Sequence, residues 1–180
     1  MNKTGKNIVL TGFMGVGKDT VGKVAAQTLG FKFISTDEIL LQQERKPLFE
    51  IINNVGEDEF HKMEENVLTT LLNDKKGRMV ISTGGEIVAR PECLPIIKKL
   101  GLVVYLYTSP KEIFDRMIKT PYKRPRFKEL KGEELEKEVN ALMKIREKLY
   151  QSIKDIEINT QGRSPLETAE EIIDAWTSMK

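Results

Sequence analysis

Short apolar runs alternate with longer stretches in which apolar positions recur every three or four residues. The short runs 8-IVLT-11, 31-FKFIS-35, 79-MVIS-82, 102-LVVYLY-107 and 156-IEI-158 read as strands. The periodic stretches, about 18–29, 47–54, 57–73, 91–100, 110–119, 133–153 and 165–178, read as helices. Strands separated by helices predict a mostly parallel sheet, whose connections must cross its faces. The last helix has an explicit start: Ser164, Pro165 and Glu167 supply an N-cap, a first-turn proline and a capping-box acid. Only 119-KTPYKRPRFKELK-131, basic and broken by prolines, lacks a period and reads as a long loop. There is no internal repeat and no low-complexity tract.

Composition narrows this picture. A chain of 180 residues fits one domain with a sizeable core. Its 29 Lys+Arg nearly balance 27 Asp+Glu, so no overall field gathers nucleic acid or anionic lipid, and any polyanion site must be local. A single cysteine, Cys93, excludes an internal disulfide and a cysteine-based metal cage. The polar first residues and the brief run Ile8 to Leu10 carry no signal peptide or membrane span. A soluble, cytoplasmic, monomeric protein is the expectation.

Chemistry enters with 11-TGFMGVGKDTVGK-23. Gly12 to Lys18 matches G-x-x-x-x-G-K and lies between an expected strand and an expected helix, the context a phosphate loop requires. Glycines let successive backbone N–H groups face an anion, the helix start adds partial positive charge, and a lysine reaches the outer phosphates. ATP or GTP is the expected ligand, held by Gly12, Met14, Gly15, Val16, Gly17, Lys18, Asp19 and Thr20. Asp19 departs from the pattern, which calls for a hydroxyl that helps hold magnesium. A ligand-free glycine-rich turn is the bland alternative.

Beyond the loop, 33-FISTD-37, 54-NVGEDEFHKMEENVL-68, 82-STGGEIV-88, 124-RP-125 and 142-LMKIREKLY-150 stand in the order and spacing of the shikimate kinase family, which the chain resembles over nearly all its length. That resemblance implies a P-loop NTPase-like three-layer α/β sandwich with a five-stranded parallel sheet in the order 2-3-1-4-5, helices on both faces and a mobile lid. It implies a single kinase domain, with an acceptor-binding region at 36–65 and a lid at 119–131. The activity implied is ATP- and Mg2+-dependent phosphorylation of a hydroxyl on a small metabolite, shikimate first, in aromatic amino acid biosynthesis. Another polyol or sugar-acid acceptor, or a nucleotide-binding regulatory module without turnover, remain as alternatives.

The resemblance assigns roles residue by residue. Asp37 matches an aspartate that addresses the acceptor hydroxyl; its other reading is a helix N-cap. Ser35 stands where the family has an aspartate near magnesium, so Asp19 and Ser35 look like an exchanged carboxylate and hydroxyl, both facing the metal. The alternative leaves Asp19 as an acid in a first helical turn. Gly84, Gly85 and Glu86 match a glycine triplet beneath the substrate, with Glu86 adding bulk and negative charge. His61 replaces an arginine that grips the substrate carboxylate; its other reading is surface or packing, and Glu64, one turn on, is a candidate to raise its pKa. Arg124 would act from the lid, with Lys123 and Arg126 as helpers, and Arg116 lies near an adenine-stacking arginine.

Arg146 stands out without any family. Leu135, Val139, Leu142, Leu149 and Ile153 form one stripe of helix 133–153, and Arg146 falls within roughly 20° of its centre at a period of about 3.6 residues. An inward guanidinium meets either a buried carboxylate, for which Glu64 is a candidate, or an anion in a cleft, and the resemblance implies the acid group of the substrate. Met63, Met79, Met117 and Met143, with Cys93, Tyr105, Tyr107 and Trp176, read as packing.

Overall fold

The computed structural model describes residues 7–74, 77–119, 127 and 130–179. Five strands are present: β1 Asn7–Thr11, β2 Lys32–Ser35, β3 Met79–Ser82, β4 Gly101–Tyr107 and β5 Ile156–Asn159. All pair in parallel in the order β2-β3-β1-β4-β5. Alternate side chains of each strand enter different cores. Ile8, Leu10, Val80, Leu102 and Val104 pack on one face under α1 (Lys18–Leu29) and α8 (Pro165–Ser178). Val9, Ile81, Val103 and Tyr105 pack on the other, with α4 (Glu57–Asn73) and α5 (Cys93–Leu100). Burial on both faces is why the strands read as unbroken apolar runs.

The remaining described helices are α2 Thr36–Glu44, α3 Leu48–Val55, α6 Pro110–Lys119 and α7 Gly132–Ile153. The periodicity of the chain did not predict α2, for a physical reason: only Thr36 and Leu40 of it are buried, too few to make a stripe. The expected start of α8 is present, with Ser164 Oγ accepting from Glu167 N and the Glu167 carboxylate accepting from Ser164 N. No described helix is long and apolar enough to cross a membrane.

Two features of this frame position the site. The pairing sets Leu10, Ser82 and Ser35 abreast at the carboxyl ends of β1, β3 and β2, the edge where open α/β sheets bind ligands. The turn from β1 into α1 runs through Gly12, Gly15 and Gly17 at φ of 146°, 78° and 103°. A Cβ on Gly12 would stand 2.3 Å from Leu106 O of β4, so glycine there answers both strain and space.

Candidate active site

The β1–α1 turn opens onto a cleft of about 520 Å³ lined by Met14 to Val21, Asp37, Thr83, Gly85, Arg116 and Met117, and by Thr160, Arg163, Pro165 and Thr168 from the segment leading into α8. Lys18 is the first residue of α1 and is buried. Its ammonium donates to Gly12 O at 2.8 Å and Phe13 O at 3.1 Å, so the loop's own carbonyls hold it at the mouth of the turn. Arg116 of α6 clamps the same turn from outside, donating to Gly15 O at 3.1 Å and Val16 O at 2.9 Å, while Glu112 pairs with its other side. Met117 lines this cleft in addition to packing on the core, which corrects the reading of it as filling alone.

These residues fit a nucleotide. Glycines at positive φ leave the turn's backbone bare, the helix start and Lys18 supply positive charge, and Thr160 carries a buried hydroxyl with no hydrogen-bond partner among the described residues. Thr160, Arg163, Pro165 and Thr168 were not singled out in the sequence; their only signal is the cap of α8, whose start forms that wall.

Asp19, in the first turn of α1, meets both strand ends. Ser35 Oγ donates to its Oδ2 at 3.4 Å and Ser82 Oγ donates to its Oδ1. The expected proximity of Asp19 and Ser35 is therefore present, and Ser82 is a third member that the sequence reading missed. Ser35 is also the N-cap of α2, accepting from Glu38 N at 3.4 Å. Asp37 therefore does not cap that helix; it sits in its first turn and lines the cleft. A hydroxyl pair around one carboxylate, beside a phosphate turn, is a donor set suited to a hard divalent cation.

A second cluster forms where α2, α4 and the 83–90 segment meet. Thr36 Oγ1 accepts from Gly84 N at 3.0 Å, fixing that segment to α2. A Cβ on Gly84 would stand 3.0 Å from both Asp37 Oδ1 and Glu64 Oε1, so the bare glycine leaves room for the two carboxylates. Glu64 is 3 % exposed, and burial, reinforced by Asp37 and Glu86, pushes its carboxyl up to about 8 against the opposing pull of Arg90. Burial thus favours its protonated form at neutral pH.

His61 is buried, not on the surface, and is held on both sides. Its Nδ1 lies 3.0 Å from Glu64 Oε2, and Arg90 Nη2 meets its Nε2. Because a guanidinium only donates, Nε2 accepts and the hydrogen-bond network assigns the proton to Nδ1. Glu64 does not raise the imidazole's pKa as expected: burial first, and then the Arg90 charge, lower it from its ordinary value, and the ring stays neutral. Arg90 is the cation the sequence reading overlooked. It follows a three-residue 3-10 turn, Ile87–Ala89, and no periodicity marks it. Its Nε is buried without a partner among the described residues.

Arg146 lies in the buried stripe of α7 as the helical wheel requires, but its partner is not Glu64. Arg146 Nη2 pairs with Glu86 Oε1, Nη1 lies 3.5 Å from Gly85 O, and the guanidinium stands 5.6 Å from the Phe13 ring centroid. Glu86 thus turns toward the arginine, neither outward nor free in the pocket. Tyr150, one turn along α7, donates to Gly85 O at 2.6 Å. Cys93 and Trp176 are core residues as expected, and Tyr105 stacks on Tyr150 at 4.9 Å. Lys123, Arg124 and Arg126, assigned to a lid, lie outside the described residues.

One cleft thus joins a phosphate turn to an aspartate, an arrangement made for moving a phosphoryl group, and known proteins share its frame. A curated shikimate kinase of Thermodesulfovibrio yellowstonii is 40% identical over 171 residues, covering 95% of each chain. One of Persephonella marina is 36% identical over 168 residues, covering 93% of this chain and 97% of its own. A solved shikimate kinase of Acinetobacter baumannii in complex with shikimate superposes with a TM-score of 0.86 at 31% identity, over 99% of this chain and 96% of that one. The sequence model described as shikimate kinase matches residues 14–177. Matched in sequence and in fold over nearly its whole length, this chain belongs to the shikimate kinase family.

Proposed function

We propose that this protein transfers the γ-phosphoryl group of ATP to a hydroxyl of shikimate, with magnesium. The observation that carries the reading is that Lys18 and Asp37 line one cleft, a phosphate-binding cation and a hydrogen-bond acceptor within a single enclosure. Lys18 and the bare amides of the Gly12–Gly17 turn would take the phosphates, and Arg116, Thr160 and Arg163 would flank the rest of the nucleotide. Asp37 would accept the proton of the acceptor hydroxyl as its oxygen bonds to the γ-phosphorus. The bond from that phosphorus to the bridging oxygen breaks, and ADP leaves. Magnesium, when bound, would neutralise phosphate charge, and Asp19 with Ser35 is the donor set proposed to hold it. Residues 36–65 would form the acceptor region of one kinase domain, and every residue invoked comes from one chain, so a monomer suffices. An ATP-dependent reaction and a single buried thiol, Cys93, accord with the cytoplasm.

One observation favours a second acceptor class, an uncharged polyol: Arg146 already carries Glu86. ADP release measured with ATP, magnesium and in turn shikimate, polyols and sugar acids decides between them. Release with shikimate supports the first reading; tight ATP binding with no release for any acceptor would leave a regulatory module. The metal assignment has its own test. Asp19→Ser should abolish most turnover, and adding Ser35→Asp should restore part of it; independent, additive effects would refute the exchange.

A further inference from the structure

The two members of the Arg146–Glu86 ion pair are unequal. The Arg146 side chain is 6% exposed and the Glu86 side chain 41%. A buried guanidinium stripped of its anion is costly, whereas a half-exposed carboxylate returns to water easily. Arg146 therefore keeps an anion at all times, but that anion can change. The Gly85 carbonyl oxygen and the Phe13 ring, which the guanidinium also meets, carry no net charge and do not compete for the place. Glu86 has an ordinary right-handed backbone, φ −101° and ψ −14°, at the head of the 3-10 turn. Leaving Arg146 is a matter of side-chain rotation and asks no change of this backbone.

We propose that Glu86 is a resident counter-ion on Arg146 which a carboxylate-bearing acceptor must displace, so that position 86 sets how acids rank against uncharged acceptors. The inference rests on the proposed shikimate reading with Arg146 as the acceptor's anchor; the pair meets the cleft at its lining residue Gly85. Glu86 and the acceptor's acid group are the same functional group seeking the same guanidinium edge. Apparent affinity for an acid is then lowered by the fraction of time Glu86 occupies Arg146. An uncharged acceptor neither displaces Glu86 nor gains the arginine's charge. Binding of an acid exchanges one carboxylate for another on Arg146, so the buried charge is never bare.

The test compares shikimate with its methyl ester, which keeps the hydroxyls and loses the charge, in the unaltered protein and in the Glu86→Gln and Glu86→Ala variants. Both variants should lower the KM for shikimate by about 1.5- to 5-fold, the range for a partly exposed ion pair. The KM for the ester and for ATP should not follow. A KM for shikimate that is unchanged or raised in both variants overturns the proposal, because Glu86 would then be orienting Arg146 and not competing for it. An equal fall for acid and ester overturns it too, since relief of crowding would explain both. If the unaltered protein turns over shikimate, these results bear on Glu86 alone. If it does not, the functional reading fails first and this inference with it.

Discussion

Replacing Glu64 by glutamine gives a quantitative check on the buried cluster. The Glu64 carboxyl is raised from 4.5 to about 8, chiefly by burial and then by Asp37 and Glu86. The folded state thus holds a proton that the unfolded chain releases near 4.5. Stability from this group is fully present below pH 4.5 and is lost as pH rises toward 8, since the native state then binds more protons than the unfolded one. His61 runs the other way: its depressed pKa makes stability grow as pH rises through 6.5, levelling off about one unit above. Between 6.5 and 8 Glu64 therefore dominates, and comparison with the glutamine variant cancels the residual slope of His61. At ~1.4 kcal/mol per pH unit, flattening as the carboxyl titrates near 8, the unaltered protein should lose about 1.6 kcal/mol across this range through this group. Glu64→Gln, uncharged and of the same shape, should remove that slope. Urea unfolding at steps between pH 6.5 and 8 reads the difference directly. Parallel profiles for the two proteins would refute the protonated Glu64 and the electrostatic reading of its neighbours.

Two further outcomes follow from contacts in the same site. Arg90→Ala should raise the pKa of His61 toward its ordinary value, because the guanidinium at Nε2 is the second cause of its depression; proton NMR of the chain's single histidine over pH 4–8 reads this, and an unmoved titration would sink the assignment. Gly12→Ala should cost about 2–4 kcal/mol in urea unfolding, because the new methyl would meet Leu106 O at 2.3 Å on a backbone at φ 146°; a loss below about 0.5 kcal/mol would mean that the turn yields readily.

The strands were legible because Ile8 and Leu10 enter one core and Val9 the other, which leaves no polar position to blur the run. The phosphate turn was legible because its chemistry is local: glycines, a lysine and a helix start within a few residues. Arg146 could be found from its own helix, since a cation in an apolar stripe contradicts its surroundings. Its partner could not, because Glu86 lies on a different element and no period links residues 86 and 146. Ser82 joins Asp19 only through strand register, which sets it beside Ser35. His61 reads as peripheral from sequence because a polar residue beside Phe60 gives no sign of how wide the buried face of α4 is. That helix buries Phe60, His61, Glu64, Val67, Leu68 and Leu71, a wide face covered by α2, α3 and α5 together.

The Gly85 carbonyl oxygen has two lone pairs, and Tyr150 and Arg146 approach both from α7. On its other side the residue has no slack, for a Cβ there would lie 3.0 Å from Met14 N. This peptide is wedged between a long helix and the phosphate turn, and makes an unyielding floor. A larger guest would have to displace a different wall, so changes that widen the range of guests should be sought around Asp37 of α2, which lines the cleft away from this peptide's own contacts.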